Sequence, residues 1–421
     1  MPPTFGELAA LIFRSFLPPV RVVHFVTDTY PDVSIKCFEQ QQRGTSTTCR
    51  IGGPKTKTPA DWKSFLRHSA SKTQFTEFLL EEWRTDACAK RLEYRQVYFI
   101  CGKQCFLLSS NGLQTVCTNQ PELLSNQQEA DTRIILHMLF ADNCCIQPCA
   151  LLVLSPDTDV FILLLYYVNQ VSGHLLFETG AGSHRRCIDV QRVASAIGIR
   201  MCMALPALHC FTGCDTTSAF VRKGKRKCFD LLESALCTEV KSTASKATLL
   251  TCLAAFESLG SVKATVSDYL VHVLEQFVCL LYGKSACRDV IKARYSIFSS
   301  RYQQRTLPVA SKSGIDLSLL PPCLDSLKMH CARAAYQTFV WHHAHESMQN
   351  VPSPSGHGWK FLGNELHVDW FAGNMLLHDV IELLAERSPS DDAVNDAALR
   401  VNVGEYEDVE EDGYRYSIFS S

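Results

Sequence analysis

The chain has 421 residues, 46% of them apolar and 20% charged, with a formal net charge of −2. That length suits two or three domains with a sizeable core. The near-neutral charge excludes a chain-wide basic field, so any contact with nucleic acid must be local.

The N-terminus, MPPTFGELAALIFRSFLPP, has no basic start and is interrupted by Glu7 and Pro18, which makes it a poor secretory signal. Its apolar spacing predicts a helix over Phe5–Phe16 that stops at Pro18 and Pro19. Residues 21–27, RVVHFVT, read as a strand with Asp28 at its carboxyl end. Residues 34–43 read as a helix carrying Lys36 and Arg43, seven apart. Two helical turns put both cations on one face, as a solvated basic face or as a phosphate clamp. Residues 45–59 are rich in Thr, Gly and Lys and read as a mobile loop. Residues 62–83 read as two amphipathic helices broken near Ser71, and residues 96–109 as a hairpin turning at Lys103.

The stretch Gln127-Gln128-Glu129-Ala130-Asp131-Thr132-Arg133 leads into an apolar helix over residues 134–140. Glu129 and Asp131, two apart, converge only if the helix begins at or between them; otherwise they simply favour its N-terminus. The run ALLVL at residues 150–154 predicts a strand buried on both faces, as in a parallel sheet. Ser155-Pro156-Asp157-Thr158-Asp159 follows, then an apolar helix over residues 160–168. Residues i and i+2 of an extended segment face one way, so Asp157 and Asp159 can aim at one hard divalent cation. Equally, Asp157 can cap the helix and Asp159 decorate its first turn.

Short strands are expected at residues 175–177 and 185–188, around Gly180-Ala181-Gly182, then helices over Val190–Ile197 and residues 203–211. Thr212-Gly213-Cys214-Asp215-Thr216-Thr217 breaks the second of these. Next comes the basic turn Arg222-Lys223-Gly224-Lys225-Arg226-Lys227 and a helix over residues 228–235. Five cations around one glycine before a helix make a local anion site, a solvated turn or a nuclear-localisation patch. Residues 247–283 are strongly helical, and residues 317–347 contain another helix. His342 and His345 lie i,i+3 there, as packing groups or a metal pair. Residues 352–370 are Gly, Pro and Trp rich and read as irregular. From Ser388 the composition turns acidic and reads as disordered. The heptad RYSIFSS occurs at residues 294–300 and again at 415–421, with no folding rationale. Among the 20 cysteines there is no CxxC pair. The closest spacings, Cys101/Cys105, Cys145/Cys149 and Cys210/Cys214, lie in apolar segments and read as reduced thiols of an intracellular protein. No apolar run reaches membrane-spanning length.

The acidic stations in chain order are VHFVTD, EAD, SPDTD and TGCD, followed by VRKGKRKCFDLL. Over roughly residues 20–240 this resembles the PIN-like core of the flap endonuclease and XPG-type structure-specific nucleases. Those carry a strand-end Asp, an E-A-E-like motif, a D-x-D motif, a G-x-D motif and then a backbone-gripping helix–turn–helix. The chain is also similar to a group of uncharacterised, multicopy animal proteins sharing EADTR, SPDTD and TGCDTTSAF.

The fold expected is α/β, with a mainly parallel sheet flanked by helices, a helix–turn–helix-like element and a helical C-terminal part. The core would occupy residues 1–245, with an insertion at 45–126, the helical part 246–387 and the acidic tail 388–421. The resemblance implies an intracellular, nuclear, metal-dependent nuclease acting on DNA or RNA, with no membrane partner. Asp28, Glu129, Asp131, Asp157, Asp159 and Asp215 would converge on two Mg²⁺ or Mn²⁺ ions about 4 Å apart. Lys36 and Arg43 would neutralise the scissile phosphate, and Lys223, Gly224, Lys225, Arg226 and Lys227 would hold the backbone. The family's first strand, with its own metal-binding Asp, has no counterpart before residue 20, and Thr29 replaces a usual glycine. An inactive nucleic-acid-binding or interaction protein on the same scaffold is therefore the alternative.

Overall fold

The structure, a computed structural model, describes residues 1–16, 20–29, 35, 49–146, 149–236, 243–303, 316–363 and 365–371. Lys36, Arg43, the acidic tail and the second RYSIFSS copy lie outside the described residues.

Helix α1, Phe5–Phe16, forms where Phe5, Leu8, Ala9, Ile12 and Phe13 make one buried stripe. It packs on α3, Ser69–Trp83, which follows α2, Trp62–Arg67; Trp83 Nε1 donates to Ala9 O at 3.1 Å. Residues 53–58, expected to belong to a mobile loop, are tied to the start of α1: Phe5 N–H donates to Thr56 O and Gly6 N–H to Pro54 O, both at 2.9 Å.

The first sheet has the order β1-β2-β3-β4, from Val22–Phe25, Gln96–Cys101, Gln104–Ser110 and Thr115–Asn119. The expected hairpin is β2–β3; β4 is a strand the sequence reading missed. Helix α4, Ala130–Cys144, lies against β1, with His24 Nδ1 2.8 Å from His137 Nδ1. Its buried Arg133 donates to Gly102 O at 2.7 Å and Ser125 O at 2.9 Å, pinning the hairpin turn.

The second sheet has the order β5-β6-β7, from Ala150–Leu154, His174–Thr179 and Arg186–Asp189. Here β5 departs from expectation. Leu152 and Leu154 are 42% and 58% exposed, and only Leu151 and Val153 pack on the core. Alternation therefore governs β5 as in a half-buried strand, because helices cover one face alone. The mainly parallel sheet is also corrected. Only β1–β2 and β5–β6 pair in parallel, while β2–β3, β3–β4 and β6–β7 are antiparallel. Strands joined by short turns must run antiparallel; the parallel pairs are those with helices between them in sequence. Among the described residues the strands form separate small sheets rather than the one sheet the resemblance implies.

The larger core gathers around α5, Thr158–Tyr167, α6, Val190–Ile197, and α7, Ile199–Thr212. Almost all of α7 from Met201 on is buried, which its apolar composition all round requires. Helices α8, Lys225–Leu236, α9, Thr243–Ser258, α10, Asp268–Leu281, and α11, Val290–Gln303, surround it with α12, Leu324–His342. The turn after α9 needs glycine: Gly260 has φ +69°, and a Cβ there would lie 2.6 Å from Ala335 O. Residues 352–370, read as irregular, contain an antiparallel pair, β8 at Trp359–Leu362 and β9 at Glu365–Val368. Buried Arg333 of α12 holds it, donating to Gly358 O and Asp369 O. Among the described residues no single helix is long and apolar enough to cross a membrane.

Candidate active site

The acidic stations lie at the starts of α4 and α5 and in the turn after α7. Asp157 is the N-cap of α5, and its Oδ1 accepts from Asp159 N–H at 2.9 Å. The capping role weighed for it is thus realised. Even so, its carboxyl is raised from the ordinary Asp value. Crowding by surrounding atoms costs it hydration first, although the residue keeps solvent access; the charges of Asp159 and Asp215 push the same way. The Asp159 N–H and His209 oppose that rise.

Asp159 Oδ1 stands 2.8 Å from Nε2 of His209, whose side chain is 7% exposed. His209 is one polar residue in the apolar run of α7, and that isolation was the signal by which sequence reasoning could have found it. Asp215 follows Gly213, which ends α7 at φ +110°. A short Cys214–Thr217 bridge folds the turn back on itself. The Cys214 thiol is lowered to about 6, first by the hydrogen bond with Cys210, then by those with Thr216 and Thr217.

The other acids belong to the start of α4. Asp28 Oδ1 accepts from Ala130 N–H at 2.8 Å, and Thr29 N–H donates to Gln128 O, so β1 ends on the helix N-terminus. Glu129 is the N-cap residue of α4, and Asp131 is in its first turn. A buried side chain joins the two groups. Gln337 of α12 donates from Nε2 to Glu129 Oε2 at 3.4 Å and accepts at Oε1 from Thr216 at 2.9 Å. Glu129 is thereby linked to the residue beside Asp215. Sequence reasoning missed Gln337, whose signal was a lone amide in an Ala-rich helix. Beside Asp28 opens a cavity of about 300 Å³, lined also by Thr29, Thr76, Lys103 and Gln128.

Asp157, Asp159 and Asp215 therefore share one electrostatic field, Glu129 is bridged to it, and Asp28 adjoins Glu129. Asp131 sits two residues beyond Glu129, in the first turn of α4. Carboxylate oxygens are the donors that Mg²⁺ or Mn²⁺ takes. As placed, no three His, Cys, Asp or Glu side chains among the described residues form a ready metal cage.

The basic turn divides into two parts. Lys223 Nζ lies 4.5 Å over the Tyr282 ring, Arg226 Nε pairs with Asp230 at 2.7 Å, and Gly224 and Lys227 face solvent. Lys225 bends inward: its ammonium donates to the carbonyls of Gly213 and His209. It is thus not the outward phosphate grip expected for it. The His342 cluster behaves as packing. His342 stacks on Tyr166 with ring centroids 4.5 Å apart, while His343 bonds Phe339 O and His345 meets the Tyr167 hydroxyl.

Compared with known protein families, curated proteins and solved structures, the chain matches none.

Proposed function

We propose that this chain is a divalent-metal-dependent nuclease that hydrolyses phosphodiester bonds of DNA or RNA. The observation that supports it most is the raised Asp157 carboxyl, pushed up by hydration lost to the crowding atoms around it and by the charges of Asp159 and Asp215. Folding for stability alone would keep like charges apart. Asp157, Asp159 and Asp215, with Glu129 across the Gln337 bridge, would hold Mg²⁺ or Mn²⁺. When bound, such ions activate a water and stabilise the leaving oxygen. The chain's own residues orient the acids: the α5 N-terminus fixes Asp157, His209 fixes Asp159, and Gln337 fixes Glu129. Lys223, Arg226 and Lys227 would hold phosphates without reading bases. The same resemblance makes Lys36 and Arg43 the cations for the scissile phosphate and the nucleus the place of work.

The inactive nucleic-acid-binding scaffold keeps a specific observation in its favour. Asp157 and Asp159 already have protein partners, which would hold them in place without metal. One experiment separates the two: cleavage of labelled single-stranded, flapped and duplex DNA by the full chain with Mn²⁺, beside Asp157→Asn/Asp159→Asn. Cleavage lost in the double variant supports the nuclease. Binding without cleavage by the unmutated chain supports the scaffold.

A further inference from the structure

Helix α11 carries an apolar ridge on its outer side. Ile291, Tyr295 and Phe298 recur at i, i+4 and i+7, so they stand on one face. Ile291 is 51% and Tyr295 73% exposed, while Val290, Ala293 and Ile297 on the opposite side are buried. Leu317, 60% exposed, and Leu320 make a second wall, and a shallow groove of about 310 Å³ lies between the two. Arg294 lines it too, and its guanidinium donates to Pro321 O, which ties the ridge to the residues leading into α12. Single exposed apolar side chains are ordinary, but a contiguous set around one groove marks a surface that something covers. The rim is cationic: Arg288 and Lys292 are exposed there, the latter also meeting Asp289 at 3.1 Å.

The chain itself supplies a matching face. The described residues end at Phe371, and residues 375–387 follow as MLLHDVIELLAER. Leu376, Leu377, Val380, Ile381, Leu383 and Leu384 repeat at the spacing of one helical face, with Asp379, Glu382 and Glu386 on the other. A helix of this length is marginal in water by itself, so its apolar face needs a surface. The groove is within reach. Trp370 lies over Arg333 of α12, with 5.2 Å from the guanidinium carbon to the ring centre. From Arg333 back to Leu324, where α12 begins beside the groove, is roughly 14 Å along the helix. Residues 372–374, extended, span about 10 Å, and the helix itself would run about 20 Å.

We propose that residues 375–387 form a helix that docks its leucine face in the groove bounded by Ile291, Tyr295, Phe298 and Leu317. Leu376, Val380 and Leu383 stand at i, i+4 and i+7, the spacing of the ridge they meet, as anchors of a helix laid in a groove do. The segment carries three acids against Arg387, a balance that suits the cationic rim. Docking also fixes the point from which the acidic residues beyond Ser388 depart.

The test is hydrogen exchange of the full chain, read by mass spectrometry, with light scattering on the same samples. Amides of residues 376–387 should exchange at least about tenfold more slowly than those of residues 390–412. In Tyr295→Asp/Leu317→Asp that difference should disappear, while α10 keeps its protection, since both replaced side chains are exposed. The reciprocal variant, Val380→Asp/Leu384→Asp, leaves the groove unmutated, and hydroxyl-radical labelling of Tyr295 should rise several-fold in it. Fast exchange of residues 376–387 in the unmutated chain overturns the docking. So does protection that survives Tyr295→Asp/Leu317→Asp, or Tyr295 labelling that is the same with and without Val380→Asp/Leu384→Asp. A dimer that the groove variant dissociates would give the groove to a second copy and overturn it as well.

Discussion

His330 offers a sharp test of how the turn carrying Asp215 is held. It is 5% exposed on α12 and bridges two elements. Its Nε2 stands 2.7 Å from Phe211 O of α7, and its Nδ1 stands 3.0 Å from the Ser218 hydroxyl. A carbonyl only accepts, so Nε2 must carry a proton; with the ring neutral, Nδ1 then accepts from the Ser218 hydroxyl. Burial is what keeps the ring neutral. Burial pushes it from 6.5 down to about 4. The sign follows directly. Between those two values the unfolded chain binds a proton that the folded chain refuses, so stability falls as pH falls. The contribution is intact above about pH 6.5 and fully lost below about pH 4. A shift of this size is worth roughly 3 kcal/mol in all, most of it lost by pH 4.5. The assay is urea unfolding followed by tryptophan fluorescence at pH 7.5 and 4.5, for the unmutated chain and His330→Gln. The variant should be less stable at pH 7.5, yet lose roughly 2–3 kcal/mol less on acidification. Comparing the two chains cancels His24 and His342, which burial also lowers to about 4. Parallel losses in both chains, within about 0.5 kcal/mol, would refute the neutral-bridge argument.

Other expectations follow from the same geometry. Gly260→Ala meets both a positive φ and a Cβ 2.6 Å from Ala335 O, so it should cost about 2–4 kcal/mol in denaturant unfolding; a cost below about 0.5 kcal/mol would mean the turn is not packed on α12. Asp157→Asn keeps a capping oxygen and removes one of three like charges, so the metal-free protein should melt no lower than the unmutated chain. The Mn²⁺-induced rise in melting temperature should vanish in that variant, and an unchanged rise would move the ion elsewhere. Arg226→Ala/Lys227→Ala should weaken duplex binding at every sequence and reduce the salt slope by about 2; equal slopes would make the turn a solvated loop.

What the sequence made legible was local, and the failures have a common physical origin. Amphipathic spacing located α1 from Phe5, Leu8, Ala9, Ile12 and Phe13, and turn chemistry at Gly102-Lys103 located the β2–β3 hairpin. The acids were found because their spacing relative to strand ends and helix starts is a local pattern. Their wiring was not, because it is carried by residues far away in sequence. Gln337 joins Glu129 to Thr216 from more than 100 residues downstream of either, and its type alone says nothing of that role. The strand β5 was misread for a similar reason. A run such as ALLVL looks the same whether helices cover one face or two, and only the assembled core decides. Lys225 shows the limit most directly. In the string RKGKRK the four lysines and arginines flanking it are its equals, and the sequence offers no ground for separating them. The separation comes from where α7 ends. Gly213 ends that helix against the first turn of α8, where the carbonyls of His209 and Gly213 take the one ammonium within reach. The place of a cation in a basic cluster is therefore set by the tertiary surroundings it meets, and a motif read as a single grip divides into outward cations and one lysine turned inward onto the end of α7.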